Sequence, residues 1–109
     1  LAVVTGRPRG DAERFLKENR VTGQLSALVC LEDAPLKPDP RPVRLALERL
    51  GIERAWMIGD TPDDLTAARR AGVLPLGVAA PGGGDSSALT NAGAAKVLSN
   101  LDELQELMP

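Results

Sequence analysis

Histidine and tyrosine are absent from this 109-residue chain, cysteine occurs once as Cys30, and Phe15 and Trp56 are its only aromatic residues. Without histidine there is no Ser-His-Asp or Cys-His catalytic unit and no imidazole metal ligand. A single cysteine excludes an internal disulfide and a Cys-rich zinc site. Two aromatic rings leave little on which to stack single-stranded nucleic acid. A formal net charge of -2 and a pI of about 5.1 argue against a general nucleic-acid binder. Long apolar runs are also missing, and none approaches the roughly 20 residues of a membrane span. Leu1–Thr5 has neither the basic flank nor the length of a signal-peptide core. With Cys30 unpaired, the chain reads as cytoplasmic. The chemistry left to it runs on carboxylates, hydroxyls, lysine, arginine, backbone amides or a metal held by oxygen.

What is present suits one packed domain, with 43% hydrophobic and 26% charged residues. Short apolar runs alternate with helical periods. Leu1–Thr5, Ala27–Leu31, Ala55–Ile58, Leu74–Ala79 and Ala95–Leu98 read as strands. Asp11–Asn19, Pro42–Leu50, Pro62–Ala71, a short stretch to Asn91 capped by Asp85, and Leu101–Leu107 capped by Asn100 read as helices. Pro75 is compatible with its strand only at the start or on an edge. Pro35, Pro38, Pro40 and Pro42 enforce an extended loop, and Pro81–Gly84 reads as a flexible one. Apolar strands separated by amphipathic helices predict an α/β fold with a parallel sheet covered on both faces. In such folds a site lies beyond the carboxyl ends of the strands.

The residues after those strands are therefore the candidates. Asp60 follows an apolar strand and Gly59, and Asp64 lies one helical turn on. Two clustered carboxylates suit a hard cation such as Mg²⁺, although Asp60 and Asp63 could equally cap the helix at Pro62. Thr5 and Gly6 offer a hydroxyl and free amides to a phosphate oxygen, or else form a turn. Lys37 is aimed by a proline-stiffened loop and suits phosphate, or is a solvated surface lysine. Arg7 and Arg9 read as surface or substrate-edge residues.

The order of these features carries more than any one of them. Val3-Val4-Thr5-Gly6, Leu36-Lys37-Pro38-Asp39-Pro40 and Met57-Ile58-Gly59-Asp60-Thr61-Pro62-Asp63-Asp64, with Ala67–Gly72 behind, resemble the haloacid dehalogenase-like (HAD) hydrolase superfamily in its phosphoglycolate-phosphatase-like branch. The resemblance implies a Rossmann-like three-layer sandwich. It makes Thr5 the second-motif hydroxyl that bonds the transferring phosphoryl group, with Gly6 beside it. It makes Lys37 the third-motif lysine, Asp60 the direct Mg²⁺ ligand and Asp64 the further acid orienting that ion or a bound water. It implies Mg²⁺ as cofactor and a small phosphorylated molecule as substrate, hydrolysed through an aspartyl-phosphate.

One part of the pattern is missing. The family's first motif, Asp-x-Asp-x-Thr/Val at a strand end, supplies the nucleophile and occurs nowhere in this chain. Asp39, in the lysine loop, is followed by Pro40 and Arg41 and does not begin such a motif. In the family that motif and a helical cap precede the second motif. Residues 1–109 are therefore expected to form a single partial core domain, with the nucleophile strand and cap upstream, and to be inactive alone. The family sheet places the absent strand between those ending at Thr5 and Ile58. Without it the two are expected to pair directly, to recruit another strand or to leave the chain poorly folded. The alternatives are a catalytically dead HAD-like binding or assembly module and an unrelated receiver-like α/β domain.

Overall fold

The computed structural model describes residues 1–79 and 86–108. Strand β1 (Ala2–Val4) and strand β2 (Ala27–Val29) pair in parallel, with Ala2 opposite Ala27 and Val4 opposite Val29. Parallel neighbours need a crossover. Here it is helix α1 (Arg9–Glu18) followed by a single 3₁₀ turn at Thr22–Gln24. Helix α2 (Arg41–Leu50) then leads to a second parallel sheet in the order β3-β4-β5. Its strands are β3 (Trp56–Gly59), β4 (Leu74–Val78) and β5 (Lys96–Leu98). Helices α3 (Pro62–Ala71) and α4 (Ser87–Asn91) are its crossovers, and α5 (Asp102–Leu107) follows.

Local chemistry sets these elements. Ala12 and Leu16, one turn apart on α1, are its buried residues. Helices α2 and α3 each carry proline in the first turn, where the missing N–H has no partner to lose. Both end at a glycine in the left-handed region, Gly51 at φ 69° and Gly72 at φ 81°. Leu65, Ala67 and Ala68 bury one face of α3 completely. Val43, Ala67, Ala68 and Val73 form a core cluster, against which Leu47, Ala55 and Met57 pack. Met57 thus faces α2 and α3. Side chains alternate along a strand, so Trp56 and Ile58 face the other way.

The expected boundaries shift by one or two residues. Helix α1 starts at Arg9, and β3 runs on to include Gly59. Pro75 lies second in β4, at the strand start, which is the first of the two placements expected for it; β4 itself is flanked by both β3 and β5. The strand tolerates it because pairing with β5 begins only at Leu76, opposite Lys96. Asn100 does act as a cap: its side-chain oxygen accepts the Asp102 and Glu103 N–H groups. Asp85 and the Pro81–Gly84 loop lie outside the described residues. None of the described helices is long and apolar enough to cross a membrane.

The two sheets share no ladder. Strands β1 and β3 present their unpaired edges to a cavity of about 650 Å³, floored by Val43, Ala46 and Leu47 of α2. Of the outcomes expected for these strands, direct pairing does not occur. Helix α2 packs on β1, β2 and α3 and so spans the two sheets.

Candidate active site

The polar end of that cavity is built by the carboxyl ends of β1 and β3 and by the lysine loop. Lys37, Gly59, Asp60 and Asp64 all line it. The Lys37 Nζ lies 2.7 Å from Asp64 Oδ1 and donates to the Val4 carbonyl at 3.1 Å. Both side chains of this pair are largely buried, at 17% and 13% exposure. A lysine so placed is not the solvated surface residue it could have been. It is fixed at the end of β1, one residue from Thr5.

Asp64 holds more than the lysine. Its Oδ2 accepts the N–H of Asp60 at 3.2 Å and that of Thr61 at 3.4 Å. Thr61 caps α3 and its Oγ1 accepts the Asp64 N–H, which completes a capping box. Neither Asp60 nor Asp63 plays the capping role considered for them. The Thr-x-x-Asp spacing at Thr61–Asp64 is the sequence signal for the observed cap. The fit behind it is tight. A Cβ added to Gly59 would sit 2.3 Å from Asp64 Cβ and 2.7 Å from its Oδ2. Only glycine lets β3 approach α3 this closely.

Asp60 differs from its neighbour. It is exposed, lines the cavity, and its carboxylate has no hydrogen-bond or ion-pair partner among the described residues. It is a free hard-oxygen donor of the kind Mg²⁺ takes. Among the described residues no three His, Cys, Asp or Glu side chains cluster to enclose a metal. Asp60 thus offers one hard-oxygen donor at the open end of the cavity, whereas both Asp64 oxygens are engaged, by Lys37 and by the Asp60 and Thr61 amides.

Thr5 and Gly6 follow β1 but do not line the cavity. Thr5 Oγ1 accepts the Arg7 N–H at 3.2 Å, the turn alternative weighed for it, and the hydroxyl proton remains available to donate. The loop around them is fastened from the side of β2. Leu31 N–H donates to the Arg7 carbonyl at 3.0 Å, and Arg9 N–H donates to Glu32 Oε1 at 2.9 Å. Asp33 bonds the Arg9 guanidinium and lies 3.6 Å from Arg49 Nη1. The Cys30 N–H, with Arg9 and Arg49 beside it, holds the Asp33 carboxyl below the usual carboxylate range. Cys30 is buried, and that burial pushes its thiol pKa up. No local spacing signals this support, because its members, Arg9, Asp33 and Arg49, are joined only in the folded chain.

A family model for haloacid dehalogenase-like hydrolases matches residues 1–78. This chain belongs to that family. It is 47% identical over 83 residues to a Phytophthora nicotianae protein named imidazoleglycerol-phosphate dehydratase, covering 74% of this chain and 18% of that one. It is 40% identical over 82 residues to pyrophosphatase PpaX of Bacillus velezensis, covering 72% of this chain and 38% of that one. It is 38% identical over 76 residues to a Rhodospirillum rubrum phosphoglycolate phosphatase, covering 67% and 32%. The fold matches a crystal structure described as a β-phosphoglucomutase from Thermotoga maritima. The TM-score is 0.87 at 29% identity, covering 99% of this chain and 53% of that one. The HAD-like chain thus spans well under two thirds of the length of these relatives.

Proposed function

We propose that residues 1–109 are the C-terminal part of the catalytic core of a Mg²⁺-dependent phosphatase acting on a small-molecule phosphate monoester. The observation that carries this reading is the convergence of the anchored Lys37 ammonium and the free Asp60 carboxylate at one end of the cavity between β1 and β3. The names of the PpaX and phosphoglycolate phosphatase relatives favour phosphoryl chemistry. A strand from the segment preceding Leu1 fills the slot and brings an aspartate to that end. Its carboxylate attacks phosphorus and expels the alcohol, and water then cleaves the aspartyl-phosphate.

Each residue of this chain has one task in that scheme. Thr5 donates its hydroxyl proton to a phosphoryl oxygen, and the Gly6 amide lies beside it. Lys37 offsets the charge that gathers on the nucleophile and the phosphoryl oxygens. Its place beside Val4 and Asp64 means little reorganisation is needed during reaction. Asp60 would hold Mg²⁺, and Asp64 would act on the ion through a bound water while holding Lys37. When bound, the ion supplies Lewis-acid stabilisation of the phosphoryl charge. The chain alone has no nucleophile and is inactive.

The test is phosphate release by the intact protein. Lys37→Ala and Asp60→Asn should each abolish Mg²⁺-dependent release, and chelation should abolish it reversibly. Unchanged turnover in both variants ends the assignment of these roles.

A further inference from the structure

Arg9 is gripped twice from the side of β2. Its guanidinium bonds Asp33 and donates to the Leu28 carbonyl at 3.4 Å. Its backbone N–H donates to both carboxylate oxygens of Glu32, at 2.9 and 3.1 Å. Pro8 stands at the N-cap of α1 and has no side-chain acceptor to offer. A carboxylate 23 residues further on thus meets the first free amide of the helix. Asp33 is itself fixed, since its Oδ2 accepts the Cys30 N–H at 2.8 Å and its N–H donates to the Cys30 carbonyl at 3.0 Å. Two consecutive acids on a closed turn therefore hold one residue, by main chain and by side chain.

Between this grip and β1 runs the loop that carries Thr5. Its near end is tied by the Thr5 N–H, which donates to the Val29 carbonyl at 2.9 Å. Its middle is tied at Arg7, midway between Thr5 and Arg9. The Arg7 N–H donates to Thr5 Oγ1, and the Arg7 carbonyl accepts the Leu31 N–H. The direction of the Thr5 hydroxyl thus follows the Arg7 backbone. The turn at Asp33 leads on to Lys37 four residues later. Leu36 rests on Gly6, where an added Cβ would lie 3.1 Å from Leu36 Cδ2, and Lys37 reaches back to the Val4 carbonyl. The loops bearing Thr5 and Lys37 are fastened to each other at both ends, and Arg9 closes the end away from β1.

We propose that Arg9, held by Glu32 and Asp33, is a positioning residue for phosphoryl transfer. It fixes the Thr5 hydroxyl relative to the Lys37 ammonium and does not touch substrate. This rests on the phosphatase reading above and adds to it a residue outside the cavity. Misplacing a reacting group by about 1 Å from a distance can cost about 100-fold in rate.

A double-mutant cycle on Mg²⁺-dependent hydrolysis of p-nitrophenyl phosphate by the intact protein tests the proposal. Arg9→Met keeps the aliphatic stem and loses the guanidinium, and Thr5→Val loses only the hydroxyl. Arg9→Met should lower kcat about tenfold and change KM less than about twofold. In the Thr5→Val background the same substitution should cost less than about twofold, because the group it positions is gone. A tenfold loss that recurs in that background makes Arg9 a purely structural residue and overturns the proposal. An unchanged kcat in Arg9→Met overturns it too. Glu32→Ala, at an exposed position, is read in the same cycle and decides the matter should Arg9→Met fail to fold. A parent that releases no phosphate, or a Thr5→Val variant with unchanged turnover, ends the underlying reading and the proposal with it.

Discussion

Replacing Gly59 by alanine should break the site from within. The new Cβ would lie 2.3 Å from Asp64 Cβ, a separation real Cβ atoms essentially never show. That Cβ is fixed to the backbone of α3, so no rotamer change relieves the overlap. Strand β3 and the first turn of α3 must part. Forced overpacking of this kind costs about 1–3 kcal/mol. Displacing Asp64 also opens the capping box with Thr61, worth about 0.5–2 kcal/mol. The sum is roughly 1.5–5 kcal/mol, or a fall of about 1–2.5 M in the urea midpoint at an m-value of about 2 kcal/mol/M. Because Asp64 Oδ1 also holds Lys37, phosphate release by the intact protein should drop about 100-fold. Asp64→Ala placed on top should not restore stability, since alanine keeps the offending Cβ. Asp64→Gly should restore part of it. A Gly59→Ala protein within about 0.5 kcal/mol of the parent would refute the close-approach argument.

Three further outcomes follow from the same geometry. Gly72→Ala meets open space but sits at φ 81°, so it should cost about 1–2 kcal/mol by backbone strain alone, with turnover unchanged. Leu65 is fully buried on α3, and Leu65→Ala should lower stability by about 2–5 kcal/mol in a urea titration. The Asp39 carboxyl is lowered from 3.8 to about 2, chiefly by the Arg41 side chain and then by its backbone N–H. A depressed carboxyl stabilises the fold above its unfolded pKa. The stability difference between parent and Asp39→Asn should therefore be full above about pH 4 and vanish as pH falls through about 2, and parallel unfolding curves across that window check the sign.

How far the sequence could be read depended on the range of the interaction. Helix α3 was legible to the residue, because Pro62 and Gly72 punctuate it. The cap was readable too, as Thr-x-x-Asp, although Asp60 and Asp63 were the more conspicuous acids. The role of Asp64 as the partner of Lys37 was not legible. It depends on how the lysine loop folds back to β1, which no local spacing encodes. Pro75 was legible as a residue of the strand start, since proline is excluded only where a ladder bond is lost, but the central place of β4 was not, because it follows from sheet topology. The gap beside β1 was foreseen from motif order. That the sheets would stand apart was not, because it depends on α2 packing against β1, β2 and α3 at once.

The split of the sheet also bears on folding order. Every strand pair seen here joins neighbours in sequence, β1 with β2, β3 with β4 and β4 with β5. Such contacts close short loops and form early. On the reading proposed above, the strand that fills the slot is the exception, since one of its neighbours is β3. It cannot complete its pairing on the ribosome until Gly59 has emerged, however early it was itself made. A strand made before β1 would thus wait through the synthesis of β1, β2 and β3 before both of its edges are paired.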